Sequence, residues 1–281
     1  MPSYEALADQ AGALVSAWYW DETTPQADGI VLSVEKAALL EQIQSRPELA
    51  ELFANKLLCS ILCEFNRRRH GHLPTDDLVE IYTVIGNELV DRRPPSSSGR
   101  PPRGAIDGGN ALLLQLLAGL MLIDDLVTLD RAAASEAIAA ELPWPLLGRI
   151  EGTAEEVLDE LLHETSALAL PPSGGIEFVH PAVRHHFGAL YLADKDCLDQ
   201  MLSRAHQPEW YAVIHLTAAR LRRPEFTELM GRLADRADSE PQHTRYLDLL
   251  AVQCVKSKRS VDPALAIAIE ERAARHRTPS V

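Results

Sequence analysis

The chain has 281 residues, which leaves room for two domains at roughly 100–200 residues each. A hydrophobic share of 46% excludes a disordered chain. Aromatic residues make up only 5%, and long segments are rich in Ala, Leu and Glu, which argues against a large all-β protein. The formal net charge of −14 disfavours a general nucleic-acid binder, because an acidic surface repels phosphate groups.

The cysteine count and the N-terminal sequence point to the same compartment. Four cysteines in a chain of this length do not form a disulfide framework and fit a reducing cytosol. No apolar run reaches the roughly 18–20 residues that span a bilayer. The start, MPSYEALADQ, lacks the basic and apolar regions of a signal peptide. We therefore expect a cytoplasmic protein without a membrane partner.

The first part of the chain predicts helices only. Pro47 opens the longest of them, because Pro is tolerated at the first helical position. Thr75 is the predicted N-cap of the last, with Asp76 and Asp77 in its first turn. The other helices follow from apolar residues at helical spacing. Helices are predicted over 4–20, 33–44, 47–69 and from Thr75 onward.

A segment rich in Pro, Gly and Ser, PPSSSGRPPRGAIDGG, separates this part from the rest. Its composition predicts a flexible linker over 94–109. Residues 1–93 are accordingly predicted as one helical domain.

The sequence pattern of the second part changes twice, from helical to strand-like and back to helical. Apolar helices are predicted over 110–123 and 131–142, and Thr153 with Glu156 forms a capping-box pattern for a third helix. The strings SALAL and IEFVH around a turn then predict one β-hairpin. Pro181 opens the next helix. Helices packed with a hairpin predict a winged-helix-like domain, and the remainder predicts a helical tail. These two regions are 110–194 and 195–281, and the predicted fold class is mainly α with one β-hairpin.

Most catalytic motifs are missing from the sequence. There is no phosphate-binding GxxxxGK(S/T), no GxSxG nucleophile elbow and no HExxH. The string LMLIDDL (120–126) resembles a Walker B strand, but it continues a helical pattern and is interpreted as a helix end. Cys59 and Cys63, with His70 and His72 nearby, raise the question of zinc. Because the two cysteines lie in an apolar stripe, they are interpreted as small buried hydrophobes, and no metal site is predicted.

An ordered series of motifs resembles a known family. The series resembles the carboxy-terminal half of NACHT-type STAND NTPases, the bacterial relatives of NLR innate sensors. The likeness covers residues from about 4 to 236, and its specificity lies in the fixed order rather than in any one motif. The matching segments are LVSAWYW (14–20), LAELFANKLLCSIL (49–62), 73–93, ALLLQLLAGLML (111–122), 154–194 and HQPEWYAVIHLTAARL (206–221).

The resemblance implies several regions with different roles, and this sequence contains only some of them. In the family, a P-loop core binds ATP or ADP, a helical lid and a winged helix close over the nucleotide, and a sensor region releases the closed state. This sequence resembles the lid, the winged helix and the start of the sensor. We therefore expect no enzyme activity and no cofactor for the chain by itself, with ATP or ADP bound only when a separate NTPase core is supplied.

The resemblance also implies two nucleotide contacts. His180 matches the winged-helix histidine that contacts the β-phosphate of ADP, and it lies at a helix start, where anions are favoured. Asn55 matches the family asparagine of the lid. Two positions depart from the family pattern: Lys56 replaces a proline, and His186 stands before Phe187 where the family has glutamate.

Two functions remain open from the sequence. The chain is predicted to be a regulatory or sensor fragment of a NACHT-like signal-transduction NTPase, with an NTPase core or itself as the protein partner. The alternative is a stand-alone helical adaptor for protein–protein interaction with no nucleotide role. DNA binding through the winged helix is disfavoured, since it needs clustered Lys and Arg.

Overall fold

The computed structural model describes residues 3–19, 29–74, 77–91, 109–141, 152–172, 174–195, 197–258 and 260–276. In these residues it contains 14 α-helices and one two-stranded antiparallel sheet. The predicted fold class, mainly α with one β-hairpin, is therefore confirmed. The chain forms two compact units, residues 1–92 and 93–281. Residues 94–108 of the predicted linker lie outside the described residues. None of the described helices is long and apolar enough to cross a membrane.

The first unit consists of helices packed through one apolar core. α1 contacts three of its neighbours, and its inward face carries Ala11 and Val15, both fully buried. Each of the other four helices contributes leucine, isoleucine or phenylalanine side chains to the buried set. The helices are α1 (Tyr4–Tyr19), α2 (Gly29–Ser45), α3 (Pro47–Ala54), α4 (Lys56–Arg68) and α5 (Leu78–Asp91).

The single long helix predicted over 47–69 is wrong, because the chain breaks at Asn55. The backbone there is extended, with φ −87° and ψ 122°. The Asn55 side chain accepts hydrogen bonds from the N–H groups of Leu57 (3.0 Å) and Leu58 (3.1 Å) and so starts α4. Asparagine competes in this way for backbone donors and favours helix caps. The apolar spacing continues across the break, which is why periodicity did not reveal it.

The start of α5 differs by a small shift from the prediction. Thr75 and Asp76 lie outside the described residues. Asp77 precedes the helix instead of lying in its first turn, and its Oδ1 accepts a hydrogen bond from the N–H of Glu80 at 3.1 Å. Asp77 therefore serves the capping role that the sequence assigned to Thr75.

The described residues of the second unit form nine α-helices and the two-stranded sheet. The capping box of Thr153 and Glu156 is present at the start of α8, as predicted. A short 3-10 turn, Pro208–Trp210, precedes α11. The remaining elements are α6 (Gly109–Ile123), α7 (Arg131–Glu141), α8 (Ala154–Glu164), β1 (Leu168–Ala169), β2 (Glu177–Phe178), α9 (Pro181–Asp194), α10 (Leu198–Ser203), α11 (Tyr211–Arg220), α12 (Arg223–Ser239), α13 (Thr244–Ser257) and α14 (Pro263–Ala274).

The hairpin has a third, isolated partner that the sequence analysis missed. β1 and β2 pair in the register Leu168–Phe178. Leu129, in the segment after α6, bridges Ile176 through two N–H···O bonds of 2.9 and 2.8 Å. The chain order is thus helix, bridge, two helices, hairpin and helix. A single bridging residue leaves no alternation for a sequence pattern to detect.

Two glycines let α6 and α9 approach closely. A Cβ atom placed on Gly119 would overlap the ring of Tyr191, and one placed on Gly188 would overlap Leu122. α9 also packs against α11, so one buried cluster runs from Leu122 on α6 through Leu192 on α9 to Ile269 on α14. α6, α9 and the helices that follow α9 therefore share a continuous core.

Gly119→Ala is expected to destabilise the protein by about 1–3 kcal/mol, because the added methyl group overpacks the α6–α9 contact. Gly231→Ala is the matched control, since Gly231 lies on α12 with open space around its Cα. Removing an exposed helical glycine should stabilise by about 0.5–1 kcal/mol. Urea denaturation measures both values. Equal effects of the two substitutions would contradict the close approach.

Candidate functional site

His180 is the N-cap of α9 and closely follows the β1–β2 hairpin. Its Nδ1 accepts a hydrogen bond from the N–H of Ala182 at 3.1 Å. The bond requires an unprotonated Nδ1, so in the neutral ring the proton is on Nε2. Among the residues that the structure describes, Nε2 has no hydrogen-bond partner. His180 thus presents one N–H donor that the fold does not use.

The local sequence explains this geometry. The hairpin ends with the N–H of Val179 donating to Ala167 O at 3.0 Å, and His180 follows in an extended conformation, φ −159° and ψ 145°. A residue before proline is held extended, and Pro181 supplies a favourable first helical position. Strand end, cap and helix start therefore follow one another without a loop.

The backbone of α9 offers few donors to an anion. Pro181 has no N–H, and the N–H of Ala182 bonds to His180 Nδ1. The N–H groups of Val183 and Arg184 both donate to His180 O, at 3.0 and 3.3 Å. An anion at this end of α9 would therefore meet the helix dipole and the Nε2–H of His180, rather than a row of free backbone amides.

The side chains around His180 set its charge. Burial lowers the pKa of His180, so the ring is neutral at pH 7. Burial, with further contributions from Arg184 and His180, lowers the pKa of His185 to about 4. Arg184 donates from Nη1 to Leu126 O at 2.6 Å, and its buried Nε has no partner in the described part of the chain. His180 is consequently a neutral hydrogen-bond donor.

Asn55 has a comparable structural role in the first unit. Its Oδ1 is fully engaged as the N-cap of α4. Lys56 is exposed at the first helical position, where proline is favoured. A helix start of this kind favours asparagine at the cap followed by proline. This chain keeps the asparagine, Asn55, and has Lys56 in place of the proline. His180 and Asn55 belong to different compact units, and each is a complete helix cap in its own unit.

The acidic string at 120–126 is a helix end, as interpreted from the sequence, and not a Walker B strand. α6 ends at Ile123, and Asp125 adopts a left-handed conformation with φ 55°. The N–H of Leu126 then donates to Met121 O at 2.7 Å. This is the hydrogen bond of a Schellman C-cap, which turns the chain away from the helix.

The two cysteines of α4 are close together and buried. Their Sγ atoms lie 3.8 Å apart, and the hydrogen bond to Cys59 together with burial raises the pKa of the Cys63 thiol. The described residues contain no group of three or more His, Cys, Asp or Glu side chains arranged for a metal ion. Both thiols therefore pack as apolar groups within the core of the first unit.

Sequence reasoning missed a Ser–His pair in the tail. His215 Nε2 and Ser257 Oγ are hydrogen-bonded, and Ser257 Oγ also donates to Gln253 O at 3.1 Å. Because a hydroxyl has one proton, this donation leaves the serine as the acceptor from His215. A nucleophilic serine needs the opposite polarity, with its proton directed to the histidine. The pair therefore joins α11 to α13 and does not form a catalytic dyad.

Comparison of the chain with protein-family models, curated proteins and solved structures finds no significant match.

Asn55→Ala is expected to cost about 1 kcal/mol of the free energy of unfolding, because two N–H groups of α4 lose their acceptor. Asn55→Asp retains a capping oxygen and should be nearly neutral. Chemical denaturation of both variants measures the difference. An Asp variant as unstable as the Ala variant would show that Asn55 acts through something other than capping.

Proposed function

We propose that this chain is the regulatory portion of a NACHT-like signal-transduction NTPase, acting on a nucleotide held by a separate core. The observation that carries the proposal is the neutral His180 ring directly after the wing, with its Nε2–H unused by the fold. The first unit corresponds to the lid, and the second contains the winged helix and the start of the sensor.

The chemistry of His180 supports a contact with phosphate. A neutral imidazole N–H can donate to a phosphate oxygen, and hydrogen bonds to charged acceptors are the stronger ones. Such a donor reports the presence of the phosphate without supplying a catalytic base, since its other nitrogen caps α9. The chain on its own then senses nucleotide only when the partner core presents it.

The adaptor hypothesis has its own supporting observation. Both candidate nucleotide contacts are fully explained as helix caps, since each satisfies backbone donors at a helix start. A helical scaffold that binds proteins would need these two residues for the same reason. The two hypotheses therefore differ in the use of one atom, His180 Nε2.

A protein partner is favoured over DNA by the charge of α8. Helix-turn-helix motifs insert their second helix into the major groove. α8, which follows α7, exposes Glu155, Glu156 and Asp159 and contains no Lys or Arg. These carboxylates would face the phosphates of a duplex.

We expect no shift of duplex DNA by the full chain in an electrophoretic assay at physiological salt. A triple variant of α8, Glu155→Lys, Glu156→Lys and Asp159→Lys, should bind DNA non-specifically, because it adds cations on the same face. A clear shift by the unaltered chain would contradict the acidic-face argument.

The proposal is tested by combining this chain with a separate NTPase core. The DNA around the coding sequence, or a neighbouring gene, is searched for a core with GxxxxGK(S/T), and that core is purified with this chain. ADP affinity is then measured for the complex. His180→Asn keeps a capping side chain but removes Nε2–H, and should weaken ADP at least about tenfold, the effect of one hydrogen bond to a charged group.

His163→Asn is the matched control, since His163 is exposed on α8 and its Nδ1 lies 2.6 Å from Asp159 O. Unchanged ADP affinity in the His180 variant would favour the adaptor, as would failure to find any core that associates with the chain.

A further inference from the structure

The chain has two arginine-rich runs, and their charges are balanced differently. The first run, residues 67–69, ends α4, where cations complement the helix dipole. Each of its three arginines forms an ion pair with a glutamate, at N–O distances of 2.9 to 3.6 Å. The first run is therefore neutralised by carboxylates of its own unit. These carboxylates belong to Glu64, Glu80 and Glu88.

The second run, at residues 220–223, keeps more of its charge. Arg220 ends α11, and its Nη1 donates to Leu216 O at 2.9 Å. Arg222 Nε lies 2.9 Å from Glu225 Oε1, and the arginine side chain is 88% exposed. Arg223 is exposed, and in the part of the chain that the structure describes its guanidinium has no ion pair or hydrogen bond.

The position of the last two arginines does not help the fold. Arg222 is the N-cap of α12 but makes no side-chain capping bond, and Arg223 is the first helical residue. The N-terminus of a helix carries partial positive charge, so a cation there is disfavoured. Short polar side chains are the preferred caps. Two arginines at this place break a local rule for one exposed ion pair in return, which indicates a role outside the fold.

A lysine that follows α13 adds a charge at the same place. Lys258 donates from Nζ to the carbonyl groups of Ala219 and Leu221, so the end of α13 lies against the α11–α12 turn. Residues 215–226 contain a single acidic residue, Glu225. We call the four cations the α11–α12 basic patch: Arg220, Arg222, Arg223 and Lys258.

The composition of the α11–α12 basic patch indicates a carboxylate-rich partner rather than nucleic acid. Its arginines have planar forks that bind carboxylates through paired hydrogen bonds. Single-stranded nucleic acid stacks its bases on exposed aromatic rings. Phe226, whose ring centre lies 5.5 Å from Lys258 Nζ, is only 2% exposed. The net charge of −14 also repels any long polyanion that extends past the patch.

We propose that the α11–α12 basic patch is a docking site for a short acidic segment of a partner protein, whose glutamate or aspartate side chains pair with Arg222 and Arg223. Arg220 and Lys258, which are bonded to backbone carbonyls, add positive potential beside them. Charges beyond about 8 Å are screened at physiological salt, so a short segment meets mainly the patch. The inference does not use His180 and does not rest on the proposed function.

A labelled peptide of ten glutamates, titrated into the full chain at physiological salt and followed by fluorescence anisotropy, tests the proposal. Saturable binding is expected. The double substitution Arg222→Gln and Arg223→Gln should weaken it at least about tenfold, because the charge-assisted pairs are lost. Absence of saturable binding to the unaltered chain would overturn the proposal.

The double substitution Arg67→Gln and Arg68→Gln is the matched control. It removes the same two charges from the neutralised run, where both side chains are about half exposed. Peptide affinity should change less than twofold in this control. Equal weakening by the two double variants would show that only net charge matters, and the patch would then not be the docking site.

An oligothymidine of ten nucleotides distinguishes nucleic acid from an acidic protein segment. It should bind the full chain more weakly than the glutamate peptide at the same salt concentration. Binding as tight as that of the peptide, or tighter, would overturn the proposal in favour of single-stranded nucleic acid.

Urea denaturation separates docking from a structural role of the two arginines. The Arg222→Gln and Arg223→Gln variant should unfold at the same urea concentration as the unaltered chain or at a higher one, since two cations leave a helix N-terminus. A clearly lower midpoint would show that the arginines serve the fold, and the docking role would lose its support.

Discussion

The close contact of α6 and α9 is the constraint on which the second unit depends. Gly119 and Gly188 remove the side-chain volume that would otherwise separate the two helices. α9 is thereby fixed against α6 on one side and against α11 on another. Because His180 caps α9, the same contact also positions the end of the β1–β2 hairpin. A single helix, α9, thus connects His180, the candidate hydrogen-bond donor to phosphate, to α11.

Helix ends account for most of the polar residues that the sequence marks as functional. Asn55 and His180 cap helix starts, and the acidic string around Asp125 ends one. In each case the side chain or the backbone satisfies a group that the helix leaves unpaired. A functional interpretation must therefore rest on atoms that helix capping does not use. In His180 that atom is Nε2.

In the last helices the polar residues form ion pairs between helices instead of capping helix ends. These helices share an apolar core, but α14 is positioned by the carboxylates of Asp238 and Asp248 through Arg272. Charge pairing gives less stability than apolar burial of similar size, yet it is directional and selects one register.

Sequence patterns predicted what is local. Apolar periodicity located the helices, and the capping box at Thr153 and the turn before Ile176 located α8 and the hairpin. The break at Asn55 was missed because the apolar spacing is the same on both sides of it. The Leu129 bridge and the Arg272–Asp248 pair, 24 residues apart, depend on tertiary packing, for which a single sequence has no period or motif. The candidate site could be named only by resemblance, and its geometry required the fold.

The central claim is that His180 of this chain supplies a hydrogen-bond donor to a nucleotide phosphate, while the chain by itself binds no nucleotide. Isothermal titration of ADP into the isolated chain tests it most directly. The account predicts no saturable binding, with a Kd weaker than about 1 mM, since one neutral hydrogen-bond donor cannot supply more than a few kcal/mol. Stoichiometric binding at micromolar ADP, lost in His180→Asn, would contradict the account and place a complete nucleotide site within this chain.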